Sequence, residues 1–375
     1  MSETLLLVGE STTNQNLFYK TRFLAGDPIL YVESAESSTL LVPGMEVGRA
    51  RKDSSVADVR SFNDFGYVDL YRQLGNSRRA LAHVALKLLE EYAAGTVCVE
   101  PTLPVQMADE LRAEDIELVV DAHMIVDERR RKSGTEIQAI AAAQGATERA
   151  LAHAIALIER SEEHAGLLHF NGIPLTSERV RAEIEIDLLR ENLVSEVDLI
   201  VAGGPAAADP HAHGEGALRW GEAIVMDIFP RSRSSRYFAD ITRTVVKGEP
   251  VGELRAMYET VMEAHAAALS RVHAGANGAD VHQAVLDVFR SAGYDGRPDR
   301  PNMPHGTGHG LGLDIHEAPR VGEIDVELLE DEVITIEPGL YHPDIGGVRV
   351  EDTIAVTRDG YRNLTTMSKR FELGT

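Results

Sequence analysis

Apolar residues recur along the chain with two periods, and the order in which those periods appear divides it in two. In the first third, short apolar runs at 5–8 and 118–120 read as strands, while Leu81, Val84, Ala85, Leu88 and Tyr92 fall at helical spacing with Gly95 as a stop. Strands alternating with helices predict a small α/β domain over residues 1–130. The run Arg129-Arg130-Arg131-Lys132 then meets Ser133-Gly134-Thr135-Glu136, a capping-box pattern in which the Ser and Glu side chains each satisfy a backbone amide of the other. It predicts a long helix to about residue 160 and a second domain over 131–375; the basic run itself reads as a solvated linker.

The second domain predicts a helix at 178–193, capped by Thr176 or Ser177, and then strands carrying Asp227 and Asp240. Helices near 252–273 and 279–292 follow, and then strands carrying Glu337 and Glu351. Helices followed by a strand pair with two carboxylates thus occur twice, although residue identity between the halves is faint. All four acids interrupt apolar β-runs, as in Ala223-Ile-Val-Met-Asp-Ile-Phe229 and Val333-Ile-Thr-Ile-Glu-Pro338. A charge in such a run is expensive to bury unless it is paired or coordinates a cation. Along 347–356, period-two alternation puts Arg349, Glu351 and Thr353 on one face and Val348 and Val350 on the other. Asp227 and Asp240 lie 13 positions apart around a Pro-Arg-Ser-Arg-Ser-Ser-Arg turn, and an antiparallel hairpin brings them back together. Arg231, Arg233 and Arg236 in that turn read as a solvated loop, with contact to an anionic substrate as the alternative.

Between the two acidic strand pairs runs His305-Gly-Thr-Gly-His309-Gly-Leu-Gly-Leu-Asp-Ile-His316-Glu. Glycines 306, 308, 310 and 312 let the backbone approach a bound group closely, and imidazole is the commonest metal ligand. Together with four misplaced carboxylates, the tract points to a metal-dependent hydrolase. Carboxylates together with imidazole form a hard, oxygen-rich donor set that favours Mn²⁺, with Co²⁺, Zn²⁺ and Fe²⁺ as alternatives.

Composition narrows the setting. A chain of 375 residues with 43% hydrophobic content has room for two globular domains, and its net charge of −23 argues against nucleic acid or an anionic membrane as partner. Cys98 is the only cysteine, which excludes an internal disulfide, fits a reducing cytosol, and reads as a small buried apolar residue. The first ten residues lack the basic and long apolar regions of a signal peptide, and no stretch approaches the roughly 18–20 apolar residues of a membrane helix, so a soluble cytoplasmic protein is expected.

The ordered set Asp227, Asp240, His309, Glu337, Glu351 resembles the ligand signature of the pita-bread metallopeptidases, the family of prolidase, aminopeptidase P, methionine aminopeptidase and the metal-free creatinase. The likeness spans about residues 130–360 and includes Pro210-His211, Asp240-Ile-Thr-Arg-Thr244 and Gly346-Gly-Val-Arg-Val-Glu-Asp352. It implies an N-terminal creatinase/prolidase-like α/β domain before a catalytic domain with a pseudo-two-fold mixed sheet flanked by helices. It also implies two divalent ions, with Asp227 on one, Asp240 and Glu351 bridging, and His309 and Glu337 completing the second. Such a pair lowers the pKa of a shared water toward roughly 7.

By the same likeness Glu337 shuttles protons, His316 stabilises the substrate carbonyl, His211 lies near the scissile nitrogen and His305 lines a proline pocket. Arg320 resembles the residue that holds the free carboxylate of a C-terminal proline. Arg349 is a second substrate candidate, with a structural ion pair as its alternative, and His213 is a surface residue. The prolidase branch fits best, which implies an Xaa-Pro dipeptidase and a homodimer; aminopeptidase P is the alternative. The creatinase branch and chaperone-like binding modules lose the ligands present here, and methionine aminopeptidase lacks so large an N-terminal extension. Phe229 stands where most relatives have glycine, and the Asp227–Asp240 spacing is two residues longer; an insertion of two preserves strand parity and so keeps both acids on one face.

Overall fold

The computed structural model describes residues 4–123, 125–297 and 300–374. Its contacts divide the chain into two units, Met1–Asp127 and Glu128–Thr375.

The first unit is built on a six-stranded sheet whose first strand, Thr4–Gly9, is central, pairing antiparallel with Ile29–Glu33 and parallel with Thr96–Val99. Leu5 and Leu7 join one apolar cluster with Ile29, Tyr31, Leu40 and Val42, while Leu6 and Val8 join another with Leu30, Val32 and Leu41. Both faces of the sheet are therefore covered, which is why its strands read as unbroken apolar runs rather than alternating ones. The helix Ser77–Glu91 covers one face with Leu81, Val84, Ala85 and Leu88, and Cys98 is buried in the sheet.

In the second unit, Ser133 and Glu136 close the expected capping box at the head of the helix Gly134–Glu159, and Thr176 caps Ser177–Arg190. Both helices pack on Ile224, Met226, Ile228, Ile241 and Val245 of a three-stranded antiparallel sheet formed by Ile200–Gly203, Ala223–Ile228 and Ile241–Val246. A second helix pair, Leu254–Leu269 and Gly278–Ser291, packs on Ile334, Ile336, Ile354 and Val356 of a five-stranded sheet. Its central strands are Gly308–Gly310, Val333–Ile336 and Asp352–Thr357. Each sheet has an apolar face against helices and a face bearing Thr and acidic side chains. Among the described residues, no helix is long and apolar enough to cross a membrane.

The single strand expected over 347–356 is broken. Gly346–Arg349 forms a hairpin with Gly339–His342, Asp352–Thr357 joins the five-stranded sheet, and Val350 and Glu351 lie between. Alternation nevertheless survives the change of partner, since Val348, Val350, Ile354 and Val356 all enter one apolar cluster. Asp352 points to the side opposite Glu351, into a buried ionic cluster. There it accepts from Arg243 Nη2 at 3.0 Å, Lys369 Nζ at 2.5 Å and Asn363 Nδ2 at 2.8 Å, with His265 Nε2 at 3.7 Å.

Candidate metal centre

Asp227 sits near the end of Ala223–Ile228, directly across the antiparallel ladder from Thr242. Asp240 immediately precedes Ile241–Val246, two residues before Thr242, and so faces the same side. The longer turn therefore leaves the parity of the pair intact. Glu337 follows Val333–Ile336, Glu351 precedes Asp352–Thr357, and His309 is the middle residue of Gly308–Gly310. Donor atoms of Asp240, His309 and Glu351 all lie within 4.8 Å of one another. His309 Nε2 stands 3.6 Å from Asp240 Oδ2 and 3.6 Å from Glu337 Oε1. Those separations are too long for hydrogen bonds and suit groups that share a cation.

Several contacts fix the donors. His309 Nδ1 lies 3.1 Å from the Gly310 carbonyl, which defines that nitrogen as the N–H and leaves the Nε2 lone pair toward the acids. Burial, helped by His316, pushes its pKa down to about 3, so the ring is neutral. Gln144, buried on the long helix, donates to the Asp240 carbonyl and accepts from the Asp240 amide, both at 3.0 Å. Thr353 Oγ1 donates to the same carbonyl at 2.8 Å, and Thr242 Oγ1 donates to Glu351 Oε2 at 2.7 Å. Sequence reading passed over Gln144 and Thr242. The one signal for Gln144 is a polar residue inside the apolar stripe of Ile137, Ile140, Ala143 and Leu151.

The electrostatics call for cations. Burial and then the neighbouring acids, Glu351 first, raise the pKa of Asp240 well above the ordinary range, against the pull of Arg349. Glu351 is raised in the same way by burial, Glu337 and Asp227, and Glu337 by burial and Asp227 to about 7. Asp227 Oδ2 accepts from Arg349 Nη2 at 2.7 Å, whereas its Oδ1 is buried with no hydrogen-bond partner. An orphaned carboxylate oxygen beside three crowded donors fits a metal site, because such an atom is costly unless a ligand meets it. Asp227, Asp240, His309, Glu337 and Glu351 are thus brought together.

The family model described as metallopeptidase family M24 matches residues 138–358, and the Creatinase/Prolidase N-terminal domain matches 6–131. The chain belongs to metallopeptidase family M24. It is 30% identical over 362 residues to an Xaa-Pro dipeptidase of Pyrococcus horikoshii, covering 94% of this chain and 90% of that protein. The solved Xaa-Pro dipeptidase from Bacillus anthracis superposes with a TM-score of 0.82 at 26% identity, covering 99% of this chain and 95% of that one. An X-Pro aminopeptidase from Thermotoga maritima also superposes with a TM-score of 0.82, at 23% identity and covering 99% of this chain and 97% of that one; that likeness speaks for the fold alone. M24 membership makes this a metallopeptidase and implies divalent metal ions, and the donor set described above fits them.

Around the M24 centre, the His316 ring stands at 90° to that of His309 with centroids 4.4 Å apart, and His316 is exposed. His305 Nδ1 lies 2.8 Å from the Gly306 carbonyl and Nε2 lies 2.9 Å from the Tyr341 hydroxyl, which accepts from Arg349 Nη1 at 2.9 Å. Burial and the Arg349 charge hold the His305 pKa down at about 4, so Tyr341 donates to a neutral ring. Tyr341 is a further residue that sequence reading missed. His211 is exposed, its backbone amide donating to Asp209 Oδ1 at 2.9 Å, and it is an electrostatic neighbour of both His305 and His316. His213 is exposed.

The two candidate substrate arginines separate. Arg349 is 3% exposed and holds Asp227, Tyr341 and, at 3.1 Å, Thr242 Oγ1, which is the ion-pair alternative. Arg320 is exposed on the strand Glu317–Val321, directly across from His309.

Three sequence readings change. The glycines of the histidine tract serve close approach of neighbouring protein rather than of a ligand: a Cβ at Gly308 would overlap the Thr335 carbonyl, and one at Gly310 the Ala318 carbonyl. The arginine turn is not a solvated loop, because Arg231 and Arg236 are buried and only Arg233 is exposed. Arg231–Ser232 pairs with Leu193–Val194, and Arg231 lies over the Phe238 ring and pairs with Glu196; burial and the Arg236 charge lower its pKa to about 10. The basic run is not a solvated linker either, since Arg129, Arg130 and Lys132 all bond to carboxylates, Glu317 and Glu332 among them.

Proposed function

We propose that this protein is an Xaa-Pro dipeptidase. The carrying observation is the convergence of Asp240, His309 and Glu351 beside the unmatched Asp227 oxygen, with an exposed arginine across the strand from His309. Asp227, Asp240, His309, Glu337 and Glu351 would hold two divalent ions, Mn²⁺ on the chemistry of the set. Bound, the ions supply Lewis acidity and an activated water. Glu337, beside His309 Nε2, takes a proton from the attacking water and hands it to the proline nitrogen. His316 donates to the carbonyl oxygen as charge develops there, and His211 lies toward the scissile nitrogen.

His305, held neutral by burial and the Arg349 charge and oriented by Tyr341, offers an uncharged ring face to the proline side chain. Arg320 takes the substrate carboxylate, since its guanidinium has no hydrogen-bond or ion-pair partner among the described residues. A planar fork matched to a carboxylate favours dipeptides, because a longer peptide carries no charge at that point. Arg349 acts instead on Asp227. The exposed Ile186, Leu189, Val194 and Val197 support a homodimer, and the single cysteine supports a cytoplasmic setting.

A length panel with Ala-Pro, Ala-Pro-Gly and longer peptides, run with Mn²⁺, Co²⁺, Zn²⁺ and Fe²⁺, tests the reading. Preferential cleavage of Ala-Pro that is lost in Arg320→Ala is expected. Equal or faster cleavage of the tripeptide moves the enzyme to the aminopeptidase P class.

A further inference from the structure

The basic run at the head of the catalytic unit has a destination that local sequence does not reveal. Lys132 is 3% exposed, and its Nζ lies 3.0 Å from Glu317 Oε2. Arg129 Nη2 donates to Glu317 Oε1 and, at 2.6 Å, to Asp314 Oδ2. Glu317 Oε1 also accepts the backbone amides of Leu313 at 2.8 Å and Asp314 at 3.1 Å, so one carboxylate ties the loop back onto its own stem. Gly312 makes room for it, since a Cβ there would lie 2.5 Å from Glu317 Oε2. Burial works to raise the Glu317 pKa, but Lys132 and then Arg129 more than offset it and hold the group ionised.

The loop so tied carries His316. His316 is the last residue of the bend that leads into the strand opened by Glu317, so the anchored Glu317 holds its neighbour His316 against the His309 ring. Glu317 also opens the strand that pairs with Gly308–Gly310, opposite Gly310 itself. Any drift of Glu317 therefore moves His316 relative to the centre. A buried ion pair is weak evidence for stability, since apolar replacement of both partners is often neutral. A role in geometry accounts for this one.

We infer that Lys132 and Arg129 are positioning residues for peptide hydrolysis, acting through Glu317 on the loop that presents His316. The inference rests on the role given to His316 in the preceding section. The test is a double-mutant cycle among Lys132→Met, Arg129→Met, Arg129→Lys, Glu317→Gln and His316→Ala. It is read as kcat and KM on Ala-Pro, bound metal per chain by mass spectrometry, and Tm.

Lys132→Met should keep its metal and its KM while kcat falls about 10- to 100-fold, the scale of an ångström-sized misplacement. Arg129→Lys should recover most of what Arg129→Met loses. Lys132→Met/His316→Ala should be no slower than His316→Ala alone, because coupled residues are non-additive. If Lys132→Met fails to fold, Glu317→Gln, nearly the same shape, carries the same cycle. Additive losses, or wild-type kcat in Lys132→Met and Glu317→Gln, overturn the inference alone. A fully active His316→Ala overturns it together with the reading of His316.

Discussion

Glu351 and Asp352 are neighbours, both fully buried, and the protein treats them in opposite ways. On the side of Glu351 stand Asp227, Asp240 and Glu337, and its pKa is driven up by burial and by the charges of Glu337 and Asp227. On the side of Asp352 stand Arg243, His265 and Lys369, which outweigh burial and hold its pKa below the ordinary value. Strand alternation alone sends the two carboxylates to opposite faces. A buried acid ringed by the chain's own cations is complete as it stands, whereas a buried acid ringed by other acids is completed from outside. Burial therefore does not mark a functional carboxylate; the sign of its surroundings does.

The sharpest way to break that contrast is to neutralise one acid on each side. Asp240→Asn should lose bound metal and reduce Xaa-Pro hydrolysis by more than about 100-fold, since outer-shell partners alone cost roughly 10- to 100-fold. Its metal-free form should unfold at a higher temperature than metal-free wild type, because one repelling charge is gone. Metal analysis, a dipeptide assay and thermal melts check all three, and a fully active, metal-loaded Asp240→Asn would end the assignment. Asp352→Asn should do the reverse, keeping its metal but losing about 3–5 kcal/mol of stability, the cost of stranding the partners of a buried pair. Urea unfolding measures that loss.

A smaller effect follows from pH. Asp240, Glu337 and Glu351 bind protons more tightly folded than unfolded, so the native state holds more protons above pH 4–4.5. Stability of the metal-free protein should therefore fall as pH rises from about 4.5 through 7, where Glu337 titrates. Asp352 has the opposite sign: its contribution is complete above the ordinary aspartate range and disappears only as pH falls through its lowered pKa. Urea midpoints between pH 5 and 8 should slope downward without metal and flatten with saturating Mn²⁺. A flat metal-free profile would show that the acids do not repel as described.

Much of this centre was legible in the chain. The acids at 227, 240, 337 and 351 interrupt apolar strands, and parity predicted that Asp227 and Asp240 share a face despite the longer turn. The break at Val350–Glu351 was not legible, because alternation continues unchanged while the strand exchanges one partner for another. Nor were the buried fates of Lys132 and Arg231, since local composition cannot reveal a carboxylate 185 positions away in Glu317 or a pairing with Leu193–Val194. Gln144 escaped notice because its function is exercised on backbone, which leaves no pattern of residue types to read.

Gly308 carries a last consequence. The strand bearing His309 lies so near Thr335 that a single methyl group at position 308 has nowhere to go. An alanine there would lever the imidazole away from its acids without altering one donor atom. The identity of a ligand set can thus be preserved on paper while its grip is lost, through the smallest side chain the genetic code offers beyond hydrogen.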